Sequence, residues 1–267
     1  MSIQVASYDD EVSSSVGFHC RTNRPFLRRF GRAVTGNQRL ADLYVVQLME
    51  DIVDRPSLVF NCTDVRVALY KHLCELMQED AAEAAKACDA QVAVFISPKA
   101  RQAQLLMRIE HFTTSEAALI LGIEELQLCQ MLLSLSAEGT AARPARILVI
   151  EDEPLISLQL EQIVLQIGHD LIGTAATRNQ VKKLLKTHMP DLVLSDVHLA
   201  DGSSGIDAVG DILAIRQIPV VYITAFQERL LTGRRTEPLF LISKPFDAEA
   251  VKATIGQALY LDSRRVD

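Results

Sequence analysis

In the second half of the chain, groups able to do chemistry recur at the ends of short apolar runs. Glu151, Asp152 and Glu153 follow "ILVI", Asp196 closes "LVLSD", Thr224 closes "VVYIT", and Lys244 with Pro245 follows "LFLIS". Carboxylates brought together repel, so they either share a proton or hold a hard divalent cation; Mg²⁺ takes few carboxylates and keeps several waters. An aspartate in such a setting can act as a nucleophile on a phosphoryl group. Asp196 would attack, the cation and Lys244 would neutralise the equatorial oxygens, and Thr224 would hydrogen-bond one of them. The competing reading is that Glu151 to Glu153 only cap a helix starting near Pro154, since acids favour helix N-termini. Against it, all four positions are filled in order.

Positioning these groups requires a sheet. After residue 145, apolar runs alternate with amphipathic segments: "ILVI", "PLISLQLEQIVLQIG", "LIGTAA", "RNQVKKLLKTH", "LVLS", "GIDAVGDILAI", "VVYIT", "LFLIS" and "AEAVKATIGQAL". Five such strand-and-helix units predict a doubly wound α/β domain over 146–263, with a parallel sheet covered on both faces and functional groups beyond the carboxyl ends of the strands. A fourth helix with its preceding loop is expected in "AFQERLLTGRRTEP". The first half reads as all-helical. Phe26, Phe30 and Val34 recur at helical spacing, as do Leu40, Leu43, Tyr44 and Leu48, and Val67, Tyr70, Leu73 and Met77; only "AVFI" at 93–96 is ambiguous. Gly36 and "DRPS" act as helix stops. "AEGTAARPAR" supplies a linker at 139–145, leaving a helical domain over 24–138, in two parts at 24–90 and 99–138, and an unassigned extension at 1–23.

Composition narrows the function classes. The chain has 267 residues, 49% of them hydrophobic, and a formal charge of -7, with 14 basic and 18 acidic residues up to Arg143. Neither half is a basic module, so sequence-independent attraction to nucleic acid is not expected. No apolar run approaches the roughly 20 residues that cross a bilayer, and the N-terminus lacks a signal pattern, so no membrane partner is expected and the cytoplasm is the default location. Cys20, Cys62, Cys74, Cys88 and Cys129 show no metal-ligand spacing and read as small buried hydrophobes.

The segment "ARQAQLLMRIEHFTTSEAALILGIEELQLCQMLLSLSAEG" has the form of a helix-turn-helix, with Ser115 as expected N-cap and Gly122 at the turn. Its last helix carries no Lys or Arg, which a DNA-reading helix would use for phosphates and guanine. Leu126, Leu128, Cys129, Met131, Leu132, Leu133 and Leu135 instead cover an apolar arc of roughly 220°, wider than one core face needs. Leu128, Met131, Leu132 and Leu135 are the candidate contacts for a partner protein; the alternative is that the surplus packs within the chain. Arg24, Arg28, Arg29 and Arg32 form the one basic cluster, able to meet either DNA or acidic helices of this chain.

"VIEDE", "VLSDVHLADGSSGIDAV", "VVYITA" and "LISKPF" resemble the response-regulator receiver domain. The resemblance implies that Asp196 accepts a phosphoryl group from a sensor histidine kinase or phosphotransfer protein. It also implies that Glu151, Asp152 and Asp196 hold Mg²⁺ together with the main-chain carbonyl of His198, with Thr224 and Lys244 as the family's hydroxyl and lysine, and no chemistry beyond self-phosphorylation and slow hydrolysis. Leu241 stands where many receivers carry a switching Tyr or Phe. The helical half resembles regions two (24–90) and four (99–138) of extracytoplasmic-function sigma factors, and the order of the parts resembles the PhyR type of general stress response regulator. That type implies an anti-anti-sigma mechanism: phosphorylation loosens the receiver from the sigma-like domain, which then sequesters a small anti-sigma factor, NepR, and frees the sigma factor. The alternative is a two-component transcriptional regulator that uses its helix-turn-helix on DNA directly.

Overall fold

The computed structural model describes residues 3–60, 64–86, 97–138, 144–199, 202–227, 230–231 and 237–264. The chain divides into two compact units, Met1–Leu128 with Leu231–Arg235, and Cys129–Leu230 with Thr236–Asp267. That division falls inside a helix, whereas the expected linker lies largely outside the described residues. So does "AVFI".

The described residues of the first unit form helices and the turns between them. It runs α1 (Ile3–Thr35), α2 (Gln38–Asp54), α3 (Ser57–Phe60), α4 (Val65–Lys86), α5 (Lys99–Arg108), α6 (Thr114–Leu121) and α7 (Glu125–Glu138), the last continuing past Leu128. The stretch before residue 24, left unassigned by sequence, enters α1. Gly36, with φ of +66°, ends α1 by donating its N–H to the Arg32 carbonyl, as a left-handed C-terminal glycine does. Asn37 then caps α2 through its side chain, which accepts from Leu40 N–H. The periodic residues Phe30, Val34, Tyr44, Leu48, Tyr70, Leu73 and Met77 are buried together with Leu106 and Ile120. The start of α6 corrects an expectation. Its N-cap is Thr113, not Ser115: Thr113 and Glu116 form a reciprocal capping box, while the Ser115 hydroxyl donates to Glu125 at 2.7 Å. Ser115 lies two residues too late to meet the free N–H groups. Gly122, at φ of +61°, ends α6 as predicted.

The basic cluster lies mostly inside this unit. Arg28 grips Asp42 of α2 at 2.6 and 2.8 Å. Arg29 pairs with the buried Glu110 at 2.9 Å, which also accepts the Tyr70 hydroxyl at 2.7 Å, and Arg32 is fully buried. Arg66 covers the Phe112 ring at 4.1 Å. Of the four arginines only Arg24 is exposed.

The second unit carries β1 (Arg146–Ile150), α8 (Pro154–Gln166), β2 (Asp170–Ala175), α9 (Arg178–Leu184), β3 (Leu192–Ser195), α10 (Gly205–Leu213), β4 (Val220–Thr224), β5 (Phe240–Ser243) and α11 (Ala248–Ser263). The strands form one parallel sheet in the order β2-β1-β3-β4-β5, with β1, β3 and most of β4 and β5 buried. Strands buried on both faces explain why the apolar runs show no alternation. The helix expected between β4 and β5 lies largely outside the described residues. Among the described residues, no single helix is long and apolar enough to cross a membrane.

Candidate functional site

Parallel pairing sets the carboxyl ends of the strands side by side, and main-chain bonds fix the residues just beyond them. Asp196 N–H donates to the Ile150 carbonyl at 2.8 Å, Glu151 N–H to Ala175 at 2.9 Å, and Lys244 N–H to Thr224 at 2.8 Å. Groups separated by up to 93 residues thereby meet. One carboxylate oxygen from each of Glu151, Asp152 and Asp196 lies within 4.8 Å of the others. The Lys244 ammonium reaches into this group, donating to Asp196 Oδ2 at 2.6 Å, Glu151 Oε1 at 3.0 Å and Glu153 Oε1 at 3.2 Å.

Burial and charge oppose one another here. Glu151 is nearly inaccessible, at 2% exposure, and its carboxyl is pushed above the ordinary carboxylate range by burial, against the pull of Lys244. Burial works to lower the Lys244 ammonium, but hydrogen bonds to Asp196 and Glu151 outweigh it and hold the group protonated more firmly than a free lysine. The Asp196 carboxylate, 8% exposed, presents Oδ1 to the N–H groups of Val197 and His198, the latter at 3.2 Å. Its two oxygens therefore have different neighbours: main-chain donors on one, the lysine on the other.

The donor set suits a divalent cation. Glu151 Oε2 is buried and, although 3.0 Å from the Lys244 nitrogen, lacks the geometry of a hydrogen bond to it. Three carboxylates against one ammonium leave an uncompensated negative charge in a poorly hydrated place, which oxygen-seeking Mg²⁺ would relieve. An open mouth lies beside them, lined by Asp152, Glu161, Thr174 and Lys183 among others.

Thr224 is buried at the end of β4, its hydroxyl oxygen accepting the Phe226 N–H at 3.2 Å. Leu241 is buried in β5. Glu153, read from sequence with the acidic run but not as a metal ligand, shares Lys244. Gly205 was not singled out from sequence. It opens α10 so close to the turn after Asp196 that a Cβ there would stand 1.7 Å from the Asp196 carbonyl oxygen. A glycine at the entrance to a helix, just after that turn, was the available signal.

The candidate partner contacts on α7 are only partly exposed. Leu128 is fully buried, which corrects its selection as a contact residue: it belongs to the core. Met131, Leu132 and Leu135 are half-buried. The apolar groups in the open are Leu126 and Leu133, at 71% and 73% exposure, from the rest of the same arc.

Family models match the chain in three places: the sigma2 domain of PhyR over residues 21–74, the sigma-like domain of response regulator PhyR over 95–138, and the response regulator receiver domain over 147–256. The phyllosphere-induced regulator PhyR of Methylorubrum extorquens is 39% identical, over 88% of this chain and 91% of its own. Among solved structures, the response regulator PhyR of Brucella abortus is 39% identical with a TM-score of 0.83, covering 94% of this chain and 96% of its own. The anti-anti-sigma factor PhyR of Bartonella quintana is 38% identical with a TM-score of 0.84, covering 94% and 98%.

Proposed function

The chain belongs to the PhyR family of response regulators, and from that premise we propose that it is a phosphorylation-activated anti-anti-sigma factor. The observation that carries the reading is the convergence of Glu151, Asp152, Asp196 and Lys244 at adjacent strand ends.

Asp196 is the acceptor. A carboxylate oxygen attacks the phosphorus of a phosphohistidine on a sensor kinase or phosphotransfer protein; the P–O bond forms as the P–N bond breaks, and the departing imidazole takes up a proton. Glu151, Asp152, Asp196 and the His198 main-chain carbonyl would hold Mg²⁺, which would supply positive charge against the incoming phosphoryl oxygens. Lys244 already lies at the carboxylate and passes from Asp196 to a phosphoryl oxygen without leaving the site. Thr224 supplies a hydroxyl donor from the end of β4. No other turnover is assigned: the relatives described above are regulators.

Phosphorylation frees the helical domain to bind a small anti-sigma factor of the NepR type, so that the sigma factor it held is released to the general stress response. Leu126 and Leu133, with the half-buried Met131, Leu132 and Leu135, offer that protein an apolar contact on α7. Direct use of DNA is disfavoured by the internal partners of Arg28 and Arg29 and the burial of Arg32.

Capture of a purified NepR-type protein by the full chain, before and after treatment with acetyl phosphate and Mg²⁺, tests the proposal. Capture is expected to rise on treatment in the parent chain and to stay at its basal level in Asp196→Ala; Leu133→Arg is expected to take up phosphoryl groups yet capture poorly. Equal capture with and without the phosphodonor in the parent chain would sink the reading.

A further inference from the structure

At the turn from α5 to α6, a buried carboxylate ties together the two parts of the helical half. Ile109, Glu110, His111 and Phe112 follow α5, and the capping box of α6 begins at once with Thr113. Such a turn leaves main-chain carbonyls without helical donors. Two arginines from the part matching the sigma2 domain supply them: Arg29 of α1 donates to the Ile109 carbonyl at 3.3 Å, and Arg66 of α4 donates to that of Glu110. The Glu110 side chain is 2% exposed, and its oxygens serve different helices. Oε1 accepts from Arg29 Nε of α1 at 3.1 Å, and Oε2 accepts the Tyr70 hydroxyl of α4 at 2.7 Å. The Tyr70 ring meets Phe30 of α1 at 5.4 Å and Phe112 at 4.9 Å. Between these held residues His111 stands at φ of +57°, a left-handed conformation that a residue other than glycine keeps where its surroundings impose it.

A buried ion pair is a weak source of stability, because desolvation offsets much of its attraction and apolar groups of similar volume often do as well. What apolar groups lack is direction: a guanidinium fork and a phenol together accept one placing of the carboxylate. The network therefore fixes where α6 starts. That helix has eight residues, and Gly122 turns the chain from it into α7, so its placing carries the exposed Leu119 and Leu126. The sigma2 part exposes apolar groups of its own, Leu43, Val46 and Val53, which recur on one face of α2. A protein that covers both sets binds well only if their spacing is set beforehand, since ordering them on binding costs affinity.

We propose that Glu110 is a positioning residue for capture of the anti-sigma factor: its carboxylate sets α6 and the start of α7 on α1 and α4, so that the partner meets the apolar groups of both parts at one fixed spacing. Glu110 is buried and acts through these helices, without touching the partner. The proposal rests on the anti-anti-sigma reading.

An apolar replacement of the network separates direction from stability. Arg29→Met, Tyr70→Phe and Glu110→Met are combined in the full chain. Its Tm, its phosphoryl incorporation from acetyl phosphate with Mg²⁺, and its Kd for a purified NepR-type protein after that treatment are compared with the parent's. The triple variant should melt at or above the parent and incorporate phosphoryl groups equally, yet bind about tenfold more weakly. Amide hydrogen exchange should rise over residues 109–113 while 114–121 stay protected. Parental affinity would overturn the proposal by making packing sufficient. A clearly lower Tm, or lost protection over 114–121, would overturn it by making the network a source of stability. Val53→Arg, an exposed change on α2, should also weaken capture by the treated chain, and an unchanged Kd would refute the spacing argument. Absence of capture by the treated parent chain would instead remove the anti-anti-sigma reading, a result separable from the others.

Discussion

Glu151 and Asp191 are carboxylates of one domain whose surroundings move them in opposite directions. Burial lifts the Glu151 carboxyl, so its ionisation opposes folding: the neutral form is tolerated below the ordinary carboxylate range near ~4, and that tolerance is lost as pH rises through the raised value. Asp191 is held at about 2, chiefly by the Arg146 side chain, so its charge favours folding above its ordinary value and the benefit is lost as pH falls toward that number. Thermal unfolding across a pH series without metal separates them. Glu151→Gln should melt higher than the parent at neutral pH, with the difference vanishing in acid. Asp191→Asn should melt lower at neutral pH, with the difference shrinking on acidification; a pH-independent offset in either variant would contradict the assigned cause. Under the proposed function a carboxylate whose burial opposes folding has a use, because the charge that the fold resists is the one a cation would take.

At the scale of elements, α10 illustrates how closely a helix can be tied to the residue it serves. Gly205 lies at its first turn against the Asp196 carbonyl, whereas Gly210, later in the same helix, has open space where a Cβ would go. Gly205→Ala must push α10 away from the acceptor turn; overpacking of this kind costs about 1–3 kcal/mol and should lower phosphoryl incorporation as well as stability. Gly210→Ala should leave incorporation unchanged and stabilise by roughly 0.5–1 kcal/mol, since alanine is the better helix former. Denaturant unfolding and incorporation from acetyl phosphate check both, and equal behaviour of the two variants would refute the argument. The α6 capping box and the left-handed glycines at 36 and 122 act likewise on element ends, and such ends were readable because few residue types can satisfy them. Choosing Ser115 over Thr113 was an error of two residues between similar hydroxyls, decided only by which one faces the free N–H groups of the first turn.

For the molecule as a whole, the net charge of -7 and the internal ion pairs of Arg28 and Arg29 point away from a phosphate-binding surface and toward an apolar one. Capture of a NepR-type protein should change little between low and high salt, whereas any DNA binding would fall steeply with added salt through counterion release; a steep salt dependence of capture would argue for a charged interface instead. The sequence by itself determined the succession of a helical and an α/β half, the parallel sheet, and the placing of Glu151, Asp152, Asp196, Thr224 and Lys244 at strand ends. It did so because apolar periodicity is set by which faces are buried, and because strand-end positions of a parallel sheet lie on one edge whatever the loops between them do. Tertiary structure decided what depends on neighbours far along the chain. It alone placed Glu153 on Lys244, internalised three arginines that a helical wheel left open, and separated Leu128 in the core from Leu126 and Leu133 in the open. It also brought the rings of His198 and Phe226 into contact. Periodicity gives the direction in which a side chain leaves its own helix or strand, but only packing determines what stands there to meet it.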